Sequence, residues 1–445
     1  MSEKHLFVLV HGLWGNYKHM DSIKGVFSKT FGDENVIFFA PKQNGYFKTF
    51  DGIEIVGYRT LLELCEFIRK YGAGKITKIS FIGYSMGGLI SRFIIGKMET
   101  ECQELFEGID RQLFITFATP HLGVEFYLPK EKPLQTRSRR FLHSALSFLG
   151  STVLGRSGRQ LFIRDRHSWD STLVKLSSDE YLLGLSAFKY RVCIANVKND
   201  RTVAFYTSFI TDCDPFIQTQ NRVHYSFETD LPCEELHMLP RIVDLDKLDP
   251  EDHHPPKPYK WYTKVAFGAL ICAILCFVLP VIIVTNILGT CYSYIATIHY
   301  QKVLHKGNGS ALIRRKLGLE DKVEDMLRGT VGEILNREDK DEQVEESIVR
   351  NDATTWNDFV SKYSKVWKSP TRESFQSLPL DSNRKRILAN LNKLTWIRIP
   401  MYIKCFNAHD GIVGRKGIEN LSPYSLAGLQ FVSQLAKYLL SKDSI

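Results

Sequence analysis

The stretch FIGYSMGGLI, Phe81 to Ile90, places a serine between two glycines where an apolar run stops. The run that leads into it, ITKISFIG from Ile76, is β-branched and apolar and predicts a strand. The residues that leave it, GLISRFIIGKM from Gly88, set Leu89, Phe93, Ile94 and Met98 at helical spacing. Strand, tight turn, helix is the setting in which G-x-S-x-G becomes a nucleophile elbow and not a plain glycine turn. Gly83 and Gly87 leave room for Ser85 on a crowded corner, and the N–H groups of the following helix point toward it.

A second element supports that reading. HLFVLVHGLWGN from His5 is a strand that ends in His11-Gly12. In α/β-hydrolases this loop supplies one N–H of the oxyanion hole, here from the backbone of Leu13, with the second from Met86. The His11 side chain is expected to pack under the loop. NVIFFAP from Asn35 reads as another buried strand.

Four segments, LFVLVHGLWGN, GYSMGGLISRFIIGKM, FITFATPHLGVEFY and NVKNDRTVAFYT, together resemble the fungal serine esterase family. The resemblance extends over most of the chain. It implies hydrolysis of glycerophospholipids with a broad range of head groups at either acyl position, no cofactor, and a place on the cytosolic face of lipid droplets or at the endoplasmic reticulum membrane.

A serine hydroxyl needs a base, and the base needs an orienting carboxylate. The chain order in this fold is Ser, then Asp or Glu, then His. YRVCIANVKND from Tyr190 is an apolar strand that runs out into Asp200, which is read as the acid. Asp212 and Asp214 are rivals with no such strand leading into them. Seven histidines follow Asp200, at 224, 237, 253, 254, 299, 305 and 409. Only His409 lies between a convincing strand, WIRIPMYIKCFNA from Trp396, and a terminal helix, YSLAGLQFVSQLAKYLL from Tyr424. The strands expected near 5–10, 36–40, 76–83, 113–118, 190–197 and 396–406, with helices between most of them, predict a mostly parallel α/β sheet.

The chain has 445 residues and a net charge of +9. It shows no lysine- or arginine-rich arm, zinc spacing or aromatic-basic motif, which argues against nucleic acid and metal as ligands. Nine cysteines without a CxxC pair fit reduced thiols in a cytosolic setting. The apolar start MSEKHLFVLVHG is too short for a signal peptide.

Organisation follows from composition. Residues 1–252 are read as the hydrolase core, with a lid-like region at about 124–187. In that region Phe141, Leu142, Ala145, Leu146, Leu149 and Val153 form an apolar stripe behind a basic start. Residues 253–319 hold a run from Val265 to Tyr300 without one charge in 36 residues. Eight basic residues and no acidic one flank it between His253 and Leu319. Such a run predicts lipid insertion, and two basic flanks suit a cytosolic, anionic surface. Ser85 and Asp200 precede the run and His409 follows it, so a single crossing would split the triad. A hairpin bent at Pro280 avoids this. Residues 320–395 read as a helical, flexible insert with six acidic residues in the nine from Glu338 to Glu346, and 396–445 as the last strand, histidine loop and final helix. The expected activity is lipid ester hydrolysis, with a neutral acylglycerol lipase or a non-catalytic lipid-surface tether as the alternatives.

Overall fold

The computed structural model describes residues 4–125, 151–165, 170–216, 223–233, 238–250, 279–305 and 353–442, apart from positions 33, 73, 153, 369–371, 373, 374, 376 and 406. Six strands, β1 (Lys4–Val10), β2 (Val36–Phe39), β3 (Ile76–Tyr84), β4 (Asp110–Phe117), β5 (Tyr190–Asn196) and β6 (Ile397–Met401), form one sheet in the order β2-β1-β3-β4-β5-β6. All five pairings are parallel. A parallel sheet is covered on both faces, which is why its strands are apolar without alternation. Leu6 to Val10 of β1, for example, are all buried.

β6 stops at Met401, short of the expected 406. There the segment 240–243 comes alongside and takes over the hydrogen bonding. Val243 N–H donates to Pro400 O, and Tyr402 N–H donates to Arg241 O.

Eight helices matter for the site: α1 (Asp21–Phe31), α2 (Ile53–Tyr71), α3 (Met86–Glu101), α4 (Asp179–Ser186), α5 (Leu279–His305), α6 (Ala353–Ser364), α7 (Ser382–Leu391) and α8 (Pro423–Ser441). α2 and α3 cover one face of the sheet with Leu61, Leu64, Phe93 and Ile94. α1 and α8 cover the other with Ile23, Phe27, Phe431 and Leu435. This is the α/β-hydrolase fold. The chain runs from β1 outward to β2, then returns to the other side of β1 as β3. Ligand crevices in such sheets open at the carboxyl ends of the strands on either side of that reversal.

Two expected segments differ in place. α4, the end of the lid-like region, is packed on α3: a Cβ on Gly96 would lie 2.4 Å from Tyr181, and one on Gly184 2.9 Å from Ile95. The second half of the expected flexible insert is core. In α6 Trp356 and Phe359 pack against the Phe431 ring, and in α7 Ile387 and Leu391 are fully buried. The acidic run 338–346 and the stripe from Phe141 to Val153 lie outside the described residues.

The apolar run is described only from Leu279 onward, where α5 is a single helix of 27 residues. At 1.5 Å per residue it is roughly 40 Å long. Pro280 sits in its first turn, where a missing N–H breaks no helical bond. The bend expected at Pro280 therefore falls at the start of α5, and residues 265–278 lie outside the described part. α5 rests on the 3-10 helix Tyr46–Phe50 and the short α-helix Gly155–Leu161. A Cβ on Gly289 would come 2.0 Å from the Phe47 ring, and Arg156 lies 4.7 Å from the centre of the Tyr294 ring. Gly289, Ser293 and Thr297 face the protein and are buried, whereas Val284, Leu288, Tyr292, Ile295 and Ile298 are at least half exposed. Among the described residues no helix is long and apolar enough to cross a membrane.

Candidate active site

The corner at Ser85 is built by glycines that nothing else could replace. A Cβ on Gly83 would sit 2.5 Å from Gly88 Cα, and one on Gly87 2.0 Å from Val10 O. Both values are impossible for a real Cβ, so β3, α3 and the end of β1 approach this closely only through glycine. Ser85 itself has φ 54° and ψ −128°, a conformation that side chains rarely accept. The strain aims its hydroxyl out of the sheet at the start of α3, and Ser85 N–H is tied to Phe117 O at 2.8 Å.

Asp200 follows β5, and His409 stands in the short helix Ala408–Gly411 after β6. The three side chains lie in one hydrogen-bonded chain. His409 Nε2 is 2.9 Å from Ser85 Oγ, and His409 Nδ1 is 3.0 Å from Asp200 Oδ2. With the Nδ1 proton held by the carboxylate, Nε2 is free to accept the serine proton. Asp200 also accepts from Asn196 Nδ2, Thr202 N–H and Val203 N–H. Burial pushes its carboxyl upward, but the His409 charge and hydrogen bond, with those from Val203 and Asn196, outweigh burial and hold it below the ordinary value. The rivals serve elsewhere. Asp212 pairs with Arg372, and Asp214 accepts from Tyr206 N–H and Phe216 N–H. His224 is exposed in a two-residue strand, and the histidines at 237, 253 and 254 lie outside the described residues.

The loop after β1 lies against the nucleophile. A Cβ on Gly12 would be 2.7 Å from Ser85 Cβ. Glycine at this position thus lets the backbone just before Leu13 lie against Ser85. Met86 opens α3, and its N–H has no acceptor within the helix. An N–H left free at a helix start beside a serine is suited to an anionic oxygen. The His11 ring is buried under the loop, with Nδ1 3.0 Å from Gly12 O. Burial first, and then Arg415, push its pKa down, so the ring stays neutral at pH 7.

Three neighbours carry no signal in the sequence. Asn196 joins the acid to the histidine loop: its Nδ2 donates to Asp200 Oδ2 and to Ala408 O. Asp410 and Arg415 connect loops that are some 400 positions apart, since Arg415 Nη2 donates to Trp14 O. Only the place of Asn196, at the carboxyl end of β5, could have singled it out.

Residues 1–215 match the family described as putative serine esterase (DUF676). Two putative lipases of Saccharomyces cerevisiae are 29% identical over 259 residues and 30% identical over 219 residues, covering 56% and 48% of this chain. A putative lipase of Schizosaccharomyces pombe is 28% identical over 222 residues, or 46% of the chain. These matches span 36%, 29% and 26% of the relatives' own lengths. Among solved structures, a Bacillus licheniformis lipase superposes with TM-score 0.28 at 16% identity, covering 44% of this chain and 66% of its own. The phospholipase PlaB of Legionella pneumophila does so with TM-score 0.29 at 15% identity, covering 44% and 38%. Overlaps this small carry no argument about function. The likeness to the putative serine esterase family is confined to residues 1–215, and the topology and elbow described above agree with it.

Proposed function

We propose that this chain is a serine hydrolase that cleaves acyl esters of lipids, glycerophospholipids first among them, while seated on a lipid surface. The observation that carries the reading is the continuous hydrogen-bonded chain Ser85–His409–Asp200. In the reaction Ser85 Oγ attacks the ester carbonyl as His409 Nε2 takes its proton. Asp200 holds the ring and stabilises its charged form, and Leu13 and Met86 hold the oxyanion. His409 then gives the proton to the departing alcohol. Water, activated by the same histidine, frees the acid from Ser85.

The lipid substrate is supported by α5. This helix reverses the usual arrangement: it turns glycine, serine and threonine to the protein and valine, leucine, tyrosine and isoleucine outward. A row of exposed apolar side chains of this kind marks a contact with something apolar. The basic flanks at Lys302, Lys306, Arg314, Arg315 and Lys316 favour an anionic lipid surface, such as the monolayer of a droplet or the endoplasmic reticulum bilayer. The relatives' names as lipases agree with an ester-linked lipid as substrate.

The test is a lipidomic assay of the purified chain on mixed phospholipid and triacylglycerol particles, run beside labelling by a fluorophosphonate. Labelling with release of fatty acid from phospholipid is expected. Release from triacylglycerol alone would make it an acylglycerol lipase. No labelling would make it a tether on a hydrolase fold and overturn the proposal.

A further inference from the structure

We infer that Arg415 is a positioning residue that fastens the histidine loop to the oxyanion loop. Its guanidinium makes three contacts to two loops. Nη2 donates to Trp14 O at 2.6 Å, Nη1 to Asp410 Oδ1 at 3.2 Å, and Nε to His19 Nδ1 at 3.0 Å. Asp410 is itself a junction. Its Oδ1 accepts from Tyr84 O–H at 3.3 Å and its Oδ2 from Asn407 Nδ2 at 2.8 Å.

Three of the residues joined in this way stand one position from a reacting group. Trp14 follows Leu13, Asp410 follows His409, and Tyr84 precedes Ser85. The pair Arg415–Asp410 thus touches all three loops that must keep register for the hydroxyl, the imidazole and the oxyanion donors to meet. Arginine suits the task because its planar fork offers donors in several fixed directions, where a lysine presents a point charge. Trp14 gives the clamp a further reason. It has φ 56°, so the oxyanion loop holds a strained residue that needs fixing from outside.

Magnitudes separate this role from a structural one. The side chains of Arg415 and Asp410 are 20% and 28% exposed. A solvent-screened pair of this kind adds little to stability. A displacement of about 1 Å in a catalytic constellation, in contrast, costs on the order of 100-fold in rate. Removal of Arg415 is therefore felt in turnover far more than in folding.

The inference rests on the ester-hydrolase reading, and the experiment separates the two. Arg415→Ala, Arg415→Lys and Ser85→Ala are assayed as full chains on p-nitrophenyl butyrate, with active sites counted by fluorophosphonate and melting followed by circular dichroism. For Arg415→Ala, kcat per titrated site is expected to fall roughly 10- to 100-fold, with KM within about threefold and melting little changed. Arg415→Lys should recover only a part, and guanidinium at a non-denaturing concentration should restore some of the turnover lost in Arg415→Ala. If Arg415→Ala does not fold, Asp410→Asn takes its place, with a smaller loss of kcat expected. A kcat per site within threefold of the parent, or a loss explained wholly by fewer folded sites, overturns the role of Arg415. Retained activity in Ser85→Ala overturns the hydrolase reading beneath it.

Discussion

The strands that lead to the carboxyl edge of the sheet and the helix α5 are both rich in apolar residues, yet their sequences constrain them very differently. At the sheet edge the tolerances are atomic. Gly12, Gly83 and Gly87 face backbone or Ser85 at distances that no side chain could share. α5 has one contact of that kind, Gly289 on Phe47, and otherwise a face of exposed apolar side chains. Apolarity alone reports that a segment leaves water. Where small residues fall within it tells against which neighbour. In α5 the small residues Gly289, Ser293 and Thr297 recur every fourth position and form the seat on the protein.

The contrast breaks most sharply at Ser85. Ser85→Ala is expected to lower ester hydrolysis by several orders of magnitude and to abolish fluorophosphonate labelling, because triad members act as a unit. The fold should be little changed, since the substitution deletes one oxygen. Activity within tenfold of the parent would place the nucleophile elsewhere. Asp200→Asn comes next, with a loss of about 10⁴ in kcat by analogy with the serine-protease tautomer effect. An amide can donate to Nδ1 and so turn the Nε2 proton toward Ser85. A pH–rate profile should show the remaining activity rising toward alkaline pH.

The same contrast explains what could be read without coordinates. Ser85, Asp200 and His409 were legible because each stands just past an apolar strand, and six strands of one parallel sheet have few possible arrangements. The direction of α5 was not, because 36 uncharged residues fit a lipid leaflet and a protein surface equally well. α6 and α7 were misread for a related reason: the acidic run before them is polar enough to suggest a solvated insert, yet Trp356, Phe359, Ile387 and Leu391 pack into the core. Arg415 gave no sign, since GIVGRKG has no periodicity and its partners come from the other end of the chain.

A smaller effect is expected at α5. Leu288→Ser with Ile295→Ser removes two of the most exposed apolar side chains of its outer face. Burying a leucine or isoleucine side chain is worth roughly 1.5–3 kcal/mol. Each of these two would be only partly buried in a lipid surface, so a fall of about tenfold or more in partitioning to anionic vesicles follows. The measurement is co-flotation with vesicles together with the ratio of vesicle to soluble-ester hydrolysis. A ratio equal to the parent's would mean that this face meets protein or water instead. Glycosylation acceptors placed after Lys322 test the return of the chain to the cytosolic side, and lumenal modification there would refute it.

The smallest effect probes how dry the opposite, amino end of the sheet is. His5 is the second residue of β1, stacked 4.4 Å from the Phe7 ring, with Nε2 2.7 Å from Ser80 Oγ. Burial, helped by the charge of Lys78, lowers its pKa to about 3. Below the ordinary histidine value of about 6.5 the unfolded chain takes up a proton here that the folded chain refuses. The unfolded state then binds more protons, so stability falls as pH drops from about 6.5 toward 3, and it is insensitive to this group above 7. The slope that one such group can contribute is roughly 1.4 kcal/mol per pH unit. His5→Gln keeps a polar partner for Ser80 and removes the titration, so urea midpoints at pH 7.5, 6 and 5 should converge relative to the parent. The Leu288 and Ile295 variants, which touch no titrating group of the sheet, should leave the slope as it was. An unchanged slope in His5→Gln would mean that His5 already takes its proton in the folded state, and that water reaches β1 where the packing leaves it no room.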